Sequence, residues 1–341
     1  MKITARWSLC LVVLMLGGAF PALSASAAEK SIFNRQVIEL IVCTKVGGGY
    51  DSDARLVAPY LQKELPGSTV IVRNVPGGGH IVGSNRVWGA KPNGLAIGVA
   101  NVPGLIAAQI RKEEGMQFDL RKFTWLGRLY SRHRFLFGRK SAGFDNVAAL
   151  AKDNKDFKIA CSGVGDGPYN TGLLTAEALG LKKVKLITNY GGGEEPMGIM
   201  RKEVEGAVGG LESWQEMIDQ GEVAPLLTYD AKRYAGTPNV PAFTELVKTE
   251  NGRAIAAYVA TESELSRAIF TTPNTPPNIA QTLSTALMKA LQRDDFKKMV
   301  AQMKRETFNP LPGQEVAKKL NEALSMPPEV AKLIIKVSQS R

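Results

Sequence analysis

Along the chain, short runs of apolar residues alternate with stretches whose apolar positions recur every three to four residues. VIELIVC (Val37 to Cys43) predicts a buried strand. Asp51 to Leu65 carries Leu56, Val57, Tyr60, Leu61 and Leu65 at helical spacing. That pattern predicts a helix with Asp51 as its N-cap and a kink or local break at Pro59. TVIVRN (Thr69 to Asn74) predicts a second strand, followed by a helix near His80 to Gly89, a turn at Pro92-Asn93-Gly94 and a strand at Leu95 to Ala100. The same grammar restarts at FLFGR (Phe135 to Arg139), with a helix capped by Asp145 and running through Ala151. Strands follow at Phe157 to Ser162 and Val184 to Asn189, each leading into a helix, near Tyr169 to Leu179 and Glu194 to Lys202. A strand at Leu226 to Thr228, a helix near Gly252 to Ala260 and a strand at Arg267 to Pro273 come next. From Asn278 the pattern is helical, broken at Pro310, Pro312, Pro327 and Pro328. Alternating strands and helices predict an α/β fold with parallel sheets. Two such sets and a helical tail predict two α/β domains rather than a barrel, which needs about eight regular units.

Composition fits a soluble globular chain: 341 residues, 44% hydrophobic and 22% charged. The N-terminus reads as an export signal, with Lys2 and Arg6 ahead of the apolar Ser8 to Phe20 and a small-residue cleavage site at Ala25-Ser26-Ala27. A retained anchor needs a longer apolar run, roughly 18 residues. The expected mature protein is therefore exported and soluble. Removing Lys2 and Arg6 takes the formal charge from +11 to +9 (43 − 2 − 32 = 9). The densest basic group, Arg128 to Lys140, alternates basic and apolar residues as a half-exposed strand does. Elsewhere the basic residues are scattered, which suits attraction of anions toward a cleft and not a nucleic-acid partner. Cys43 and Cys161 end apolar runs and read as buried side chains, though sequence alone leaves their pairing open. His80 and His133 lack metal-ligand spacing, so no metal and no cofactor are expected.

Three glycine triplets, Gly47 to Gly49, Gly77 to Gly79 and Gly191 to Gly193, each follow a predicted strand and precede a predicted helix. Bare backbone at a helix N-terminus lets an anion approach unpaired amides. Each triplet taken singly is also explained by a tight turn. None continues into Gly-Lys-Ser/Thr, and GVGDG (Gly163 to Gly167) lacks the third glycine of a dinucleotide fingerprint. No G-x-S-x-G or H-E-x-x-H is present. Asp51, Asp166, Glu194, Glu195 and Glu212 lie in or near the expected cleft loops, which keeps an enzyme with paired carboxylates as an alternative. Such residues more often cap helices or face solvent.

The ordered set of loops resembles the Bug family, the TctC-type extracytoplasmic solute receptors of tripartite tricarboxylate transporters. Gly47, Gly48, Asp51, Arg55, Asn74, Pro76, Gly77, Gly79 and the Pro92-Asn93-Gly94 turn carry the N-terminal part of the match. CSGVGDG (Cys161 to Gly167), NYGGGEEPMGIMRKEVEGAV (Asn189 to Val208), TPNVPAFTEL (Thr237 to Leu246) and FTTPNTPPNIAQTL (Phe270 to Leu283) continue it through nearly the whole mature chain. The resemblance implies a two-domain type II periplasmic-binding-protein architecture, a Venus flytrap with its ligand cleft between domains. After a signal peptide at 1–27, it implies one discontinuous domain at 28–134 plus 266–341 and a second at 135–265, with crossings near Arg134 and Ser266. The implied function is capture of a small organic acid for integral-membrane permease subunits, by a monomer and without catalysis. A ligand sensor read by a kinase is the alternative.

The implied ligand carboxylate is held by backbone amides of the first two loops. Candidate residues there are Gly47, Gly48, Gly49, Tyr50, Asp51, Gly77, Gly78, Gly79 and His80. On the second domain they are Ser162, Gly163, Gly165, Asp166, Tyr169, Tyr190, Gly191 and Gly192. Tyr50, His80 and Tyr169 depart from the family pattern. Gly209 stands where the family frequently has Asp, and losing that carboxylate disfavours an amino-acid ligand.

Overall fold

The apolar runs fall into two separate sheets in the computed structural model, which describes residues 32–131, 133–151, 155–161, 163, 167–190, 194–303 and 308–339. The predicted leader lies outside the described residues. In chain order the first elements are β1 (Val37–Val42), α1 (Gly49–Lys63), β2 (Thr69–Asn74), α2 (Ile81–Trp88), β3 (Ala96–Asn101), α3 (Val102–Arg111) and β4 (Thr124–Arg128). Then come β5 (Arg134–Arg139), β6 (Phe157–Ala160), α4 (Gly167–Leu179), β7 (Val184–Ile187), α5 (Glu195–Met200), β8 (Gly206–Gly210), α6 (Leu211–Asp219), β9 (Val223–Thr228), α7 (Phe243–Leu246) and α8 (Glu250–Leu265). The chain ends with β10 (Ser266–Thr271), α9 (Pro277–Gln292), α10 (Asp294–Gln302), β11 (Leu311–Pro312), α11 (Gly313–Leu324) and α12 (Pro328–Gln339).

The first sheet has the order β11-β4-β10-β3-β1-β2 and the second β7-β6-β8-β5-β9. Both are mixed, which corrects the expectation of parallel sheets. β10 runs antiparallel to β3 and β4, and β5 runs antiparallel to β8 and β9. These are the strands with which the chain enters one sheet from the other. β4 ends in the first sheet at Arg128 and β5 opens in the second at Arg134. After β9 the chain returns along α8 to β10.

Apolar continuity explains the strands. Ile38, Leu40, Ile41 and Val42 of β1 are fully buried, each worth about 1.5–3 kcal/mol. One core lies under α1, α9 and α10, where Leu61, Leu287 and Phe296 meet Ile38 and Leu40. A larger core continues from the first sheet into the second through α3, α4 and α8, and a third packs Trp214 and Ile199 against Phe135 and Phe137.

Three local expectations change. α1 begins at Gly49 with Gly48 as its N-cap, so Asp51 stands inside the first turn; the helix then runs through Pro59 without a break. β5 is buried along its length after Arg134, not half-exposed, because it is paired on both edges. Its buried Arg139 pairs with Glu205 at 3.0 Å. The segment after Asp145 forms only a 3-10 turn, Val147–Ala151.

Candidate functional site

The helices matter here for where they begin. α2, α3 and α4 each start at the edge of one cavity of about 910 Å³ between the two sheets. Gly78, Gly79, His80 and Ile81 bring the start of α2 to it, Pro103 and Gly104 that of α3, and Gly167, Pro168 and Asn170 that of α4. Neither α2 nor α3 is capped by a side chain. Aligned peptide dipoles give all three ends an affinity for negative charge. The sequence dictates this locally. Gly77, Gly78 and Gly79 have φ of 134°, 54° and 58°, which a side chain would resist.

His80 also adopts positive φ, at 82°, and its Nδ1 accepts from the Asn101 N–H at 3.2 Å. The ring proton therefore sits on Nε2. Burial holds the His80 pKa down at about 4, so the ring is a neutral donor at physiological pH. The Tyr50 ring meets it edge-on, with centroids 5.2 Å apart.

Behind Tyr50 lies Arg267, at the bulge that opens β10, with φ of 62°. Its Nε donates to Asp53 Oδ2 at 2.5 Å, and Tyr130 Oη donates to the same oxygen at 2.9 Å. The guanidinium lies between the rings of Tyr50 and Tyr130, 4.9 and 4.8 Å from their centroids. Burial alone would lower the Arg267 pKa, but Tyr50, Tyr130 and Asp53 outweigh it and hold it above its ordinary value. Arg267 lines the cavity together with Arg134, Ser263 and Ser266.

The remaining sequence candidates divide. A Cβ on Gly49 would lie 3.2 Å from Arg267 Nη2, so that glycine makes room for an arginine. Asp51 accepts from the Gly47 N–H at 2.9 Å and the Asn74 amide at 2.9 Å, and pairs with Arg55 at 3.0 Å. It clasps the first glycine loop to α1 and to the end of β2. Gly47 and Gly48 are exposed in that loop; neither they nor Tyr50, Asp51 or Gly77 line the cavity. Tyr169 is half-buried against the large core. Tyr190 turns toward α5, where its hydroxyl donates to Glu203 at 2.8 Å. Gly163 is half-buried with open space beside it. Ser162, Gly165, Asp166, Gly191 and Gly192 lie outside the described residues, as does Gly193.

Residues 54–334 match the family described as "Tripartite tricarboxylate transporter family receptor". The chain belongs to this family. A UPF0065 protein of Bordetella pertussis is 25% identical over 292 residues, covering 84% of this chain and 86% of that protein. A TctC solute binding protein from Polaromonas, solved without ligand, superposes with a TM-score of 0.71 at 20% identity, over 88% of this receptor and 98% of that chain. MatC from Rhodopseudomonas palustris, solved with bound malate, superposes at 0.59 and 18% identity, over 87% and 98%. The receptor therefore has the two-domain fold of the periplasmic solute-binding proteins, with the cavity between its two sheets. No helix among its described residues is long and apolar enough to cross a membrane.

Arg267, Arg134, Asn101 and Ser263 are the site residues that sequence reasoning missed. The signal was present for two of them: Arg134 was itself an expected crossing between domains and Arg267 follows the other, Ser266, and each stands at the start of a strand, β5 and β10.

Proposed function

We propose that the receptor binds a small organic acid in the cavity between its sheets and hands it to the membrane components of a tripartite transporter. The observation that carries this reading is the convergence of three helix N-termini from both sheets on one cavity, with neutral His80 as a further donor. Such a site neutralises a carboxylate with backbone amides. MatC, with the same fold and bound malate, supports it. The same reading takes 28–134 plus 266–341 and 135–265 as the closing lobes, residues 1–27 as a cleaved export signal, and the working form as a monomer that releases its ligand unchanged.

Thermal unfolding of the purified mature chain against a library of mono-, di- and tricarboxylates and aromatic acids tests this. Ligand at about 100 times its Kd adds about 2.7 kcal/mol to stability. A bound acid should raise the melting temperature, be recovered chemically intact, and lose its effect in Gly78→Val. A flat response across the library sinks the proposal.

A further inference from the structure

Helix α4 reaches well beyond the cavity at its start. It has 13 residues and is about 20 Å long. Gly167 and Pro168 stand at the cavity, whereas Glu177 and Ala178, at the other end, line a second groove of about 650 Å³. The start of α8 shares that end: a Cβ on Gly252 would lie 3.1 Å from the Ala178 carbonyl oxygen. The facing wall is α12, through Glu329, Val330 and Leu333. α4 packs on β6, β7 and β8 of the second sheet, while α12 also packs against α3, which lies on β10 of the first. The groove therefore separates helices of the second sheet from one seated on a helix of the first. Its floor is apolar, with Ala178, Ile255 and Val330 all buried, and Glu177, Asn251 and Glu329 stand exposed on its rim.

Between its two ends α4 rests on the first crossing between the sheets. Arg134, which opens β5, donates from Nη2 to the Thr171 hydroxyl at 3.2 Å, one turn into α4. One turn further on, the Thr175 and Tyr229 hydroxyls meet at 2.9 Å, and the Tyr229 N–H donates to the Arg134 carbonyl at 2.8 Å. Thr171, Thr175 and Tyr229 are at most 1% exposed, so this support is buried. A stiff helix held near its middle moves its two ends in opposite directions. When the start of α4 swings toward α2 and α3, its far end swings away from α12. We infer that α4 is a lever and that the groove behind it sets the ligand affinity of the cleft: filling the groove closes the cleft, and emptying it opens the cleft. This rests on the reading of an acid held between closing lobes, and places control of its affinity outside the cleft. A residue in the groove touches no ligand and acts through the population of the closed form.

The test places spin labels at Glu114→Cys and Glu212→Cys, both exposed, one at the cavity and one two residues beyond Gly210, which lines it. The native Cys43 and Cys161 are buried. Double electron–electron resonance on the unliganded mature receptor then reads the opening of the cleft. Glu177→Trp and Asn251→Trp each fill the groove from its exposed rim and should shorten the label distance. Leu333→Ala, which removes part of the groove wall, should lengthen it. Glu177→Gln loses the charge without filling anything and should leave the distance unmoved. Without labels, calorimetric titration with malate and with adipate should follow the distances, about 3- to 10-fold tighter in the tryptophan variants and weaker by a similar factor in Leu333→Ala. Distances that stay at the wild-type value in both tryptophan variants and in Leu333→Ala overturn the lever. So do distances that lengthen with tryptophan, and affinities that move while the distance does not. A wild type that binds neither acid counts against the carboxylate reading alone, because the label distance decides the lever without a ligand.

Discussion

Asp53 and Arg267 join α1 to the first residues of β10 inside the protein, their side chains 3% and 9% exposed and 2.5 Å apart. Asp53→Asn removes the negative charge and leaves the guanidinium buried between two tyrosine rings. Breaking such a pair by removing one partner costs about 3–5 kcal/mol, because the surviving charge has lost its compensation. Asparagine still accepts one hydrogen bond, so the expected loss is near the lower end, about 3 kcal/mol. For a chain of this size that lowers the melting temperature by about 5 °C. Urea unfolding at neutral pH measures it. Glu329→Gln is the internal control: that residue pairs with Lys332 at side-chain exposures of 64% and 71%, and its loss should leave the melting point unmoved. The double variant Asp53→Leu with Arg267→Met replaces the pair by apolar groups and should recover most of the stability. If Asp53→Asn stays within about 1 kcal/mol of the wild type, the buried pair is not what ties β10 to α1, and the reasoning fails.

His80 makes stability depend on pH in one window. Its folded pKa, about 4, lies below the ordinary 6.5, so the unfolded chain binds a proton there that the native state refuses. The contribution is complete above pH 6.5 and is lost as pH falls toward 4, by up to about 3 kcal/mol; in His80→Gln, urea titrations at pH 7.5, 5.5 and 4.5 should show a correspondingly flatter profile. Cys43 and Cys161 are free and buried, and burial pushes the Cys43 thiol up to about 12, so alkylating reagents should label neither in the native protein and both in denaturant. Gly94 has φ of 74°, and an added Cβ would lie 2.6 Å from Ile279 Cγ2 and 3.2 Å from Phe33 Cζ. Gly94→Ala should therefore cost about 2–4 kcal/mol through strain and overpacking together, read as a fall in the urea midpoint.

Elements with a strong apolar signature were legible in the sequence, and those that depend on tertiary contacts were not. β1, β2 and the Pro92-Asn93-Gly94 turn follow from local pattern. β8 goes unassigned because GAVGG has glycines at 206, 209 and 210. Packing explains two of them: Cβ atoms at Gly206 and Gly209 would lie 2.3 Å from Phe157 Cζ and from Trp214 Nε1. α3 was missed because Pro103-Gly104 looks like a break, although proline in the first turn is a helix start. β4 and α6 went unassigned as well. For the site, Gly78, Gly79 and His80 of the second glycine loop were candidates, and these three line the cavity. Arg134 and Arg267 were not, because a basic residue gives no local sign of which way it faces. Tyr169 and Tyr190 were ligand candidates, and the structure turns both toward protein, Tyr169 to the large core and Tyr190 to Glu203. Neither preference can be read from a side chain's type alone.

Trp214 has a consequence for how this receptor can change over generations. It is 4% exposed, stacked on Phe137 with centroids 5.0 Å apart, and it occupies the space that any side chain at position 209 would need. An aspartate at 209 cannot arrive by one substitution without expelling the indole from its core. The indole cannot shrink first without leaving a cavity under β8. A side chain at 209 therefore requires paired changes whose intermediates are both destabilised. The glycine at 209 is held in place by packing alone, whatever the ligand.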